Sequence, residues 1–322
     1  EYRSQFVKGI PETLPHWILE KYHLCSRAEA LKMIHQPPAQ LGEEYLNFKS
    51  PAQKRIIFDE FFWLELYLAS NKAGVQKEKA PAMTQDAVRV QELLQSLPFE
   101  LTGAQKRAFA EIKKDLQMSH PMHRLVQGDV GSGKTLVALS AAVYAADNGF
   151  QSSIMVPTEI LAEQHYKNAK ELLEPLGIRV ALLTGQVKGL QRKAINEALR
   201  AGEIDLCVGT HALIQDDVEF QALGLVIIDE QHRFGVDQRN KLKNKGYAPH
   251  FLVMTATPIP RTLAMTVYGD LDVSVIDELP PGRMPVLTRK VFENKRDKVF
   301  GFMEEQIKKG RQAYVVYPLV DE

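Results

Sequence analysis

The sequence predicts an α/β fold: a parallel sheet covered by helices on both faces, preceded by a mainly helical segment. Three observations carry this reading. From Leu101 onward, short apolar runs alternate with amphipathic stretches of helical length, the pattern that strand–helix–strand crossovers impose. The first of these runs, Arg124-Leu125-Val126-Gln127, leads straight into a glycine-rich loop and then a helix to about Asp147. Before residue 100 the alternation is missing, and helix caps and helical stripes stand in its place.

Taken in order, residues 1–100 read as helical and irregular. Ser26 followed by Glu29 forms a capping box ahead of a short helix. Ser50-Pro51 with Gln53 forms another, with Pro at the first helical position. The helix it starts carries Ile56, Ile57, Phe61, Leu64 and Leu68 at helical spacing, and Phe61-Phe62-Trp63 reads as core rather than as a base-stacking platform. A loop is expected from Asn71 to Met83 and a further helix from about Asp86 to Ser96. This region offers no chemistry, so its expected role is packing or connection. Beyond it, strands are expected at Ser152–Val156, Ile178–Leu183, Leu206–Gly209, Leu223–Ile228 and Phe251–Met254. Helices to about Leu173 and Arg200 fall between the earlier ones. A second element of the same kind begins near Arg283, with a strand, a helix over about Lys295–Lys309 and a strand over Gln312–Pro318. Three regions follow: 1–100 connecting, 101–282 the main α/β domain, and 283–322 the start of another.

A chain of 322 residues is long enough for more than one core. Hydrophobic residues at 45% and charged residues at 25% are ordinary for a globular protein, and no apolar run approaches the roughly 18 residues of a membrane span. The formal net charge is +0, so a nucleic-acid partner would have to meet a local basic strip. Cys25 and Cys207 lie far apart, with no zinc spacing, and Cys207 in its apolar run reads as a small buried hydrophobe. Such cysteine usage fits a reducing compartment. The start Glu1-Tyr2-Arg3 is neither a signal peptide nor an initiator Met, and the chain reads as part of a longer protein.

Two motifs carry chemistry. Gly128-Asp129-Val130-Gly131-Ser132-Gly133-Lys134-Thr135 is a P-loop in its required setting, after a strand and opening a helix. Its glycines let backbone N–H groups turn toward phosphate oxygens, and the helix N-terminus favours negative charge. Lys134 reaches the β- and γ-phosphates of ATP, and Thr135 is a Mg²⁺ ligand. A chance glycine turn would not arrive with strand and helix both in place. The second motif is Leu225-Val226-Ile227-Ile228-Asp229-Glu230, a buried strand ending in two acids. Asp229 would hold Mg²⁺ and Glu230 would orient and deprotonate the attacking water. Acids often end strands, so the pair takes its meaning from the P-loop.

The ordered series of P-loop, Asp229-Glu230-Gln231-His232 and Thr255-Ala256-Thr257-Pro258 resembles superfamily 2 helicases. The stretches Asp229 to Gly235, Thr255 to Thr262 and Ile276 to Arg283 resemble the RecG family of DNA branch-migration helicases across essentially the whole chain. The resemblance implies a RecA-like P-loop NTPase fold, with ATP and Mg²⁺ as cofactors and forked or four-way junction DNA as substrate. It also implies a single-stranded DNA-binding protein as partner, a monomer, and a bacterial cytoplasmic location. It gives Gln105 an adenine-side role, although Thr102 and Gln105 also form a capping box. It makes Thr255, Thr257 and His232 coupling residues. It assigns DNA backbone contacts to Pro157, Thr158, Thr184, Gly185, Gly209, Thr210 and His211, each just after a strand. The other seven histidines read as surface or capping residues, and Lys241, Lys243 and Lys245 as a solvated helix face. In this family a second motor domain supplies an arginine finger and an upstream wedge domain splits the junction. Neither is expected within residues 1–322, so the chain on its own should hydrolyse ATP poorly.

Three rivals stand beside this. The transcription-repair coupling translocases share the His-Arg-Phe-Gly and Thr-Ala-Thr-Pro segments and would act on RNA polymerase. A nucleotide switch without catalysis would have no need of Glu230. An RNA helicase is disfavoured by the family match alone.

Overall fold

A computed structural model describes residues 9–75, 77–230, 242, 245–246, 248–256, 271–280 and 287–316. The chain divides into two compact units, Glu1–Pro281 and Gly282–Glu322. Among the described residues, no helix is long and apolar enough to cross a membrane.

The larger unit is built on a seven-stranded sheet. Its strands are β1 (His123–Gly128), β2 (Gln151–Met155), β3 (Val180–Leu183), β4 (Leu206–Gly209), β5 (Leu223–Asp229), β6 (His250–Thr255) and β7 (Asp272–Ile276). The order is β3-β4-β2-β5-β6-β1-β7 and every pairing is parallel. Central strands in such a sheet are covered on both faces, which is why β2 and β6 are buried along their whole length and β5 is buried up to Asp229. Ten helices are described. Four lie before residue 80: α1 (His16–Lys21), α2 (Arg27–His35), α3 (Gly42–Leu46) and α4 (Pro51–Val75). Then come α5 (Val88–Ser96), α6 (Gly103–Leu116), α7 (Lys134–Asp147), α8 (Glu159–Leu173), α9 (Gly189–Arg200) and, in the second unit, α10 (Arg296–Lys308).

Helix α7 is the central one. Its residues Val137 to Ala145 are all buried, and such an all-round apolar helix belongs inside a core. It packs with α5, α6 and the sheet in the main core. Residues 80–96 wrap over the same core: Met83 lies within it, and Tyr144 Oη donates to the Met83 carbonyl at 2.7 Å. Burying the hydroxyl with its acceptor removes the desolvation cost that an orphan would carry. Upstream, α2 packs on α4 around Arg55, which is fully buried between Glu12 and Asp59 and donates to the Cys25 carbonyl at 3.1 Å. Removing one partner of such a cluster leaves an uncompensated buried charge. The Ser26–Glu29 and Ser50–Gln53 caps are formed as expected.

Several expectations need correction. Helix α4 continues to Val75 instead of ending before Asn71, because residues 69–73 hold no Gly or Pro to stop it, and Lys72 pairs with Asp272 at 2.6 Å. Phe61-Phe62-Trp63 is not core: Phe61 is 52% and Trp63 46% exposed, and Phe62 is half-buried. Strand β7 was not expected. Among the described residues it is an edge strand whose one neighbour is β1. Residues 311–316 form no strand, since the described part of the second unit contains no strand to pair with. Its helix α10 is present. Lys245 is no solvated lysine: its ammonium donates to the carbonyls of Gln215 at 2.7 Å and Val218 at 2.8 Å. Lys241, Lys243 and Arg283 lie outside the described residues. Cys207 is fully buried, and burial pushes its thiol up to about 12.

Candidate functional site

All the sequence-predicted residues that are described sit at the C-terminal edge of the sheet, where open parallel sheets place their ligands. The strand order divides this edge into two halves. Strands β2, β3 and β4 end side by side, with Met155 and Leu183 both paired to Gly209. Strands β5, β6 and β1 end together on the other half: Asp229 pairs with Met254, and Gln127 with Thr255. A single strand therefore separates the acidic pair from the P-loop, and Thr255 ends that strand.

The P-loop geometry follows from its residues. Ser132 N–H donates to the Asp129 carbonyl at 3.0 Å, and Val130 N–H to the Asp129 carboxylate at 2.7 Å. Gly131 and Gly133 have φ of 76° and 86°, a region that glycine enters without strain. Gly133 is the N-cap of α7, and a Cβ there would stand 2.1 Å from Gln105 Nε2. The Lys134 ammonium is folded onto the loop, donating to the carbonyls of Gly128 at 2.8 Å and Asp129 at 2.9 Å. Thr135 follows it in the first turn of α7.

Gln105 is 1% exposed and committed at both ends. Its Oε1 accepts from Thr102 N–H at 2.9 Å, which is the capping box of α6. Its Nε2 donates to the Ser132 carbonyl at 2.8 Å. The side chain thus ties α6 to the P-loop.

Glu230 has φ of 57°, a left-handed conformation that costs a non-glycine residue about 1–3 kcal/mol and concentrates at functional sites. Its backbone N–H donates to the Met254 carbonyl at 3.1 Å, fixing the turn that carries the acid off the sheet. Asp229 lies 3.0 Å from His165 Nε2, Oδ2 being the oxygen involved. His232 and Thr257 lie outside the described residues.

The residues fit a magnesium nucleotide. Ser132 Oγ is buried without a hydrogen-bond partner among the described residues, within the phosphate loop and close to Gly128. No cluster of three or more His, Cys, Asp or Glu stands ready as a metal cage among the described residues. Magnesium needs none, because it keeps waters and draws further ligands from phosphates.

On the other half of the edge, Pro157 is half-buried and Thr158 exposed. Thr158 caps α8, its hydroxyl accepting from Leu161 N–H at 3.4 Å. Thr184 is buried, and its hydroxyl accepts from Gln186 N–H at 3.4 Å. Gln186 in turn donates to Glu159 at 2.6 Å, which fastens the Thr184-Gly185 loop to the start of α8. Gly209 has a structural reason of its own: a Cβ would meet the Leu183 carbonyl at 2.1 Å. Thr210 is buried, with its hydroxyl unpartnered among the described residues, and His211 is exposed.

Two histidines read as surface or capping residues are neither. His165 is buried with Ala162, Ala169 and Leu173 on the inner stripe of α8, so it belongs to that helix's core face. That 3.6-residue stripe was the signal that could have found it. His250 is fully buried: its Nδ1 accepts from Met122 N–H at 2.9 Å, and its Nε2 lies 2.9 Å from the Pro81 carbonyl.

The family description for DEAD/DEAH box helicases matches residues 102–266. The ATP-dependent DNA helicase RecG of Aquifex aeolicus is 50% identical over 99% of this chain and 40% of its own length. Its counterpart in Bacillus subtilis is 48% identical over 99% of this chain and 46% of its own length. The chain thus spans less than half the length of these relatives. A solved RecG structure bound to a three-way DNA junction superposes with a TM-score of 0.85 at 43% identity, covering 98% of this chain and 42% of that one. The helicase MrfA bound to DNA shares the fold alone, with a TM-score of 0.51 at 18% identity over 71% of this chain and 36% of that one. With the P-loop, the acidic pair and these likenesses in agreement, the chain belongs to the DEAD/DEAH box helicase family, and over nearly its whole length it is similar to RecG helicases.

Proposed function

We propose that this chain is the ATP-binding part of a double-stranded DNA translocase that acts on forks and four-way junctions and drives branch migration or fork reversal. The observation that carries the proposal is the register across β6, which sets Asp229-Glu230 one strand from Gly128–Thr135. The RecG relative on a three-way junction supports the choice of branched DNA. In this reading residues 101–282 are the first motor domain, 283–322 begin the second, and 1–100 connect upstream.

Lys134 would exchange its bonds to the Gly128 and Asp129 carbonyls for β- and γ-phosphate oxygens. Thr135 and Asp229 would hold Mg²⁺, which when bound supplies positive charge against the phosphates. Glu230, raised from the sheet by its left-handed turn, would take the proton of the attacking water. Thr255, with Thr257 and His232, would pass the state of this site to the second motor domain. Pro157, Thr158, Thr184, Gly185, Gly209, Thr210 and His211 would face the DNA backbone, a contact that positions without reading sequence. Gln105 would act on the nucleotide through the Ser132 carbonyl it already holds. The same reading makes the protein a monomer in the bacterial cytoplasm, with a single-stranded DNA-binding protein as partner. The RecG relatives lend no weight to the repair-coupling alternative.

Glu230→Gln in the full-length protein tests the catalytic assignment. Nucleotide affinity should stay within about threefold while hydrolysis falls by at least about a hundredfold. A variant that still hydrolyses ATP would move the catalytic base elsewhere.

A further inference from the structure

We propose that His165 is a positioning residue for Asp229, and that it ties this acid to the helix carrying the candidate DNA loops. The inference rests on the reading of Asp229 as a metal ligand. His165 and Asp229 are 64 residues apart in sequence, yet Nε2 and Oδ2 stand 3.0 Å apart, with the two side chains 8% and 15% exposed. An ionised carboxylate only accepts, so Nε2–H is the donor. His165 Nδ1 is buried and has no partner among the described residues, so the Asp229 bond is the polar anchor of the ring. That bond holds the carboxylate through Oδ2, orients it, and would leave Oδ1 available to a metal ion.

The helix gives this bond a second consequence. His165 lies about two turns along α8 from Thr158, which caps that helix. Glu159, in the first turn, accepts from Gln186 beside Thr184-Gly185. Both candidate DNA loops of β2 and β3 are therefore fastened to α8, and α8 is fastened to Asp229. A strand seated on those loops bears on the acid through one rigid helix.

The test compares His165→Ala, His165→Gln and His165→Asn in the full-length protein. Gln sets its amide nitrogen near the place of Nε2, and Asn near that of Nδ1. The readouts are Mn²⁺ affinity of the ADP complex by electron paramagnetic resonance, ADP affinity without metal, thermal unfolding, and the ratio of DNA-stimulated to basal hydrolysis. Loss of an outer-shell partner should weaken Mn²⁺ binding by about tenfold or more in the Ala and Asn variants. Metal-free ADP affinity should be unchanged, Gln should restore Mn²⁺ binding, and the stimulation ratio should fall with Ala and Asn. Equal Mn²⁺ affinity in all variants would overturn the proposal. So would a loss of stability and metal-free binding in Ala that Gln does not repair, since that is a packing role. A parent protein whose ADP complex binds no Mn²⁺ would overturn the metal role of Asp229 itself, and the positioning role with it.

Discussion

At the scale of single residues, the phosphate loop is held by contacts that can be broken one at a time. Gly133→Ala would force a Cβ into a left-handed position already crowded by Gln105. We expect a loss of about 1–3 kcal/mol in unfolding free energy and a loss of nucleotide binding, read by denaturant unfolding and nucleotide titration. A variant that binds as well as the parent would mean the loop has another low-energy shape. Gln105→Glu keeps the acceptor for Thr102 N–H but loses the donor to Ser132, so nucleotide affinity should drop at least about fivefold with α6 intact. Unchanged affinity would show that the tie does not shape the loop. The loop and the acidic pair were legible in the sequence because their spacing and their place after strands are local. The partner of Asp229 was not. His165 meets it only when α8 packs against the sheet edge, and no spacing along the chain encodes that. The two commitments of Gln105 were half legible, since the capping box is local and the bond to Ser132 is not.

At the scale of elements, the strands of the sheet interior could be read from apolar runs, whereas β7 could not. An edge strand of five residues with exposed and buried positions mixed looks like a loop until β1 is beside it. The fate of α4 shows the opposite limit. Its apolar residues have helical spacing, yet Ile57, Phe61, Trp63, Leu66 and Tyr67 are all exposed. Periodicity reports a helix and leaves open whether that face finds a partner. His250 joins three elements, linking β6, the residue before β1 and the wrapping segment at Pro81. Burial pulls its imidazole below the ordinary value of 6.5, against smaller opposing effects of the Pro81 carbonyl and Asp115, while His120 and His123 act in the same direction as burial. The unfolded chain therefore takes up this proton first as pH falls. Stability should decline from pH 6.5 downward, by up to about 1.4 kcal/mol per pH unit for this group, until the folded value is passed. His250→Gln should flatten that slope in denaturant unfolding. An identical slope in the variant would assign the dependence to other groups.

At the scale of the whole molecule, the strand order divides one sheet edge between two groups of candidate residues. The candidate nucleotide residues occupy the ends of β1, β5 and β6, and the candidate DNA loops occupy those of β2, β3 and β4. Helix α8 connects the halves, so in the proposed reading ATP turnover and DNA engagement would share a physical link within this unit. In the proposed function the full-length protein spends ATP on branched DNA. The most direct test of this is the steady-state rate of ATP hydrolysis with a four-way junction, a plain duplex, a structured RNA or nothing added, at one fixed salt concentration. The junction should stimulate the rate well above plain duplex. Stimulation by RNA alone, or equal rates with and without the junction, would contradict it.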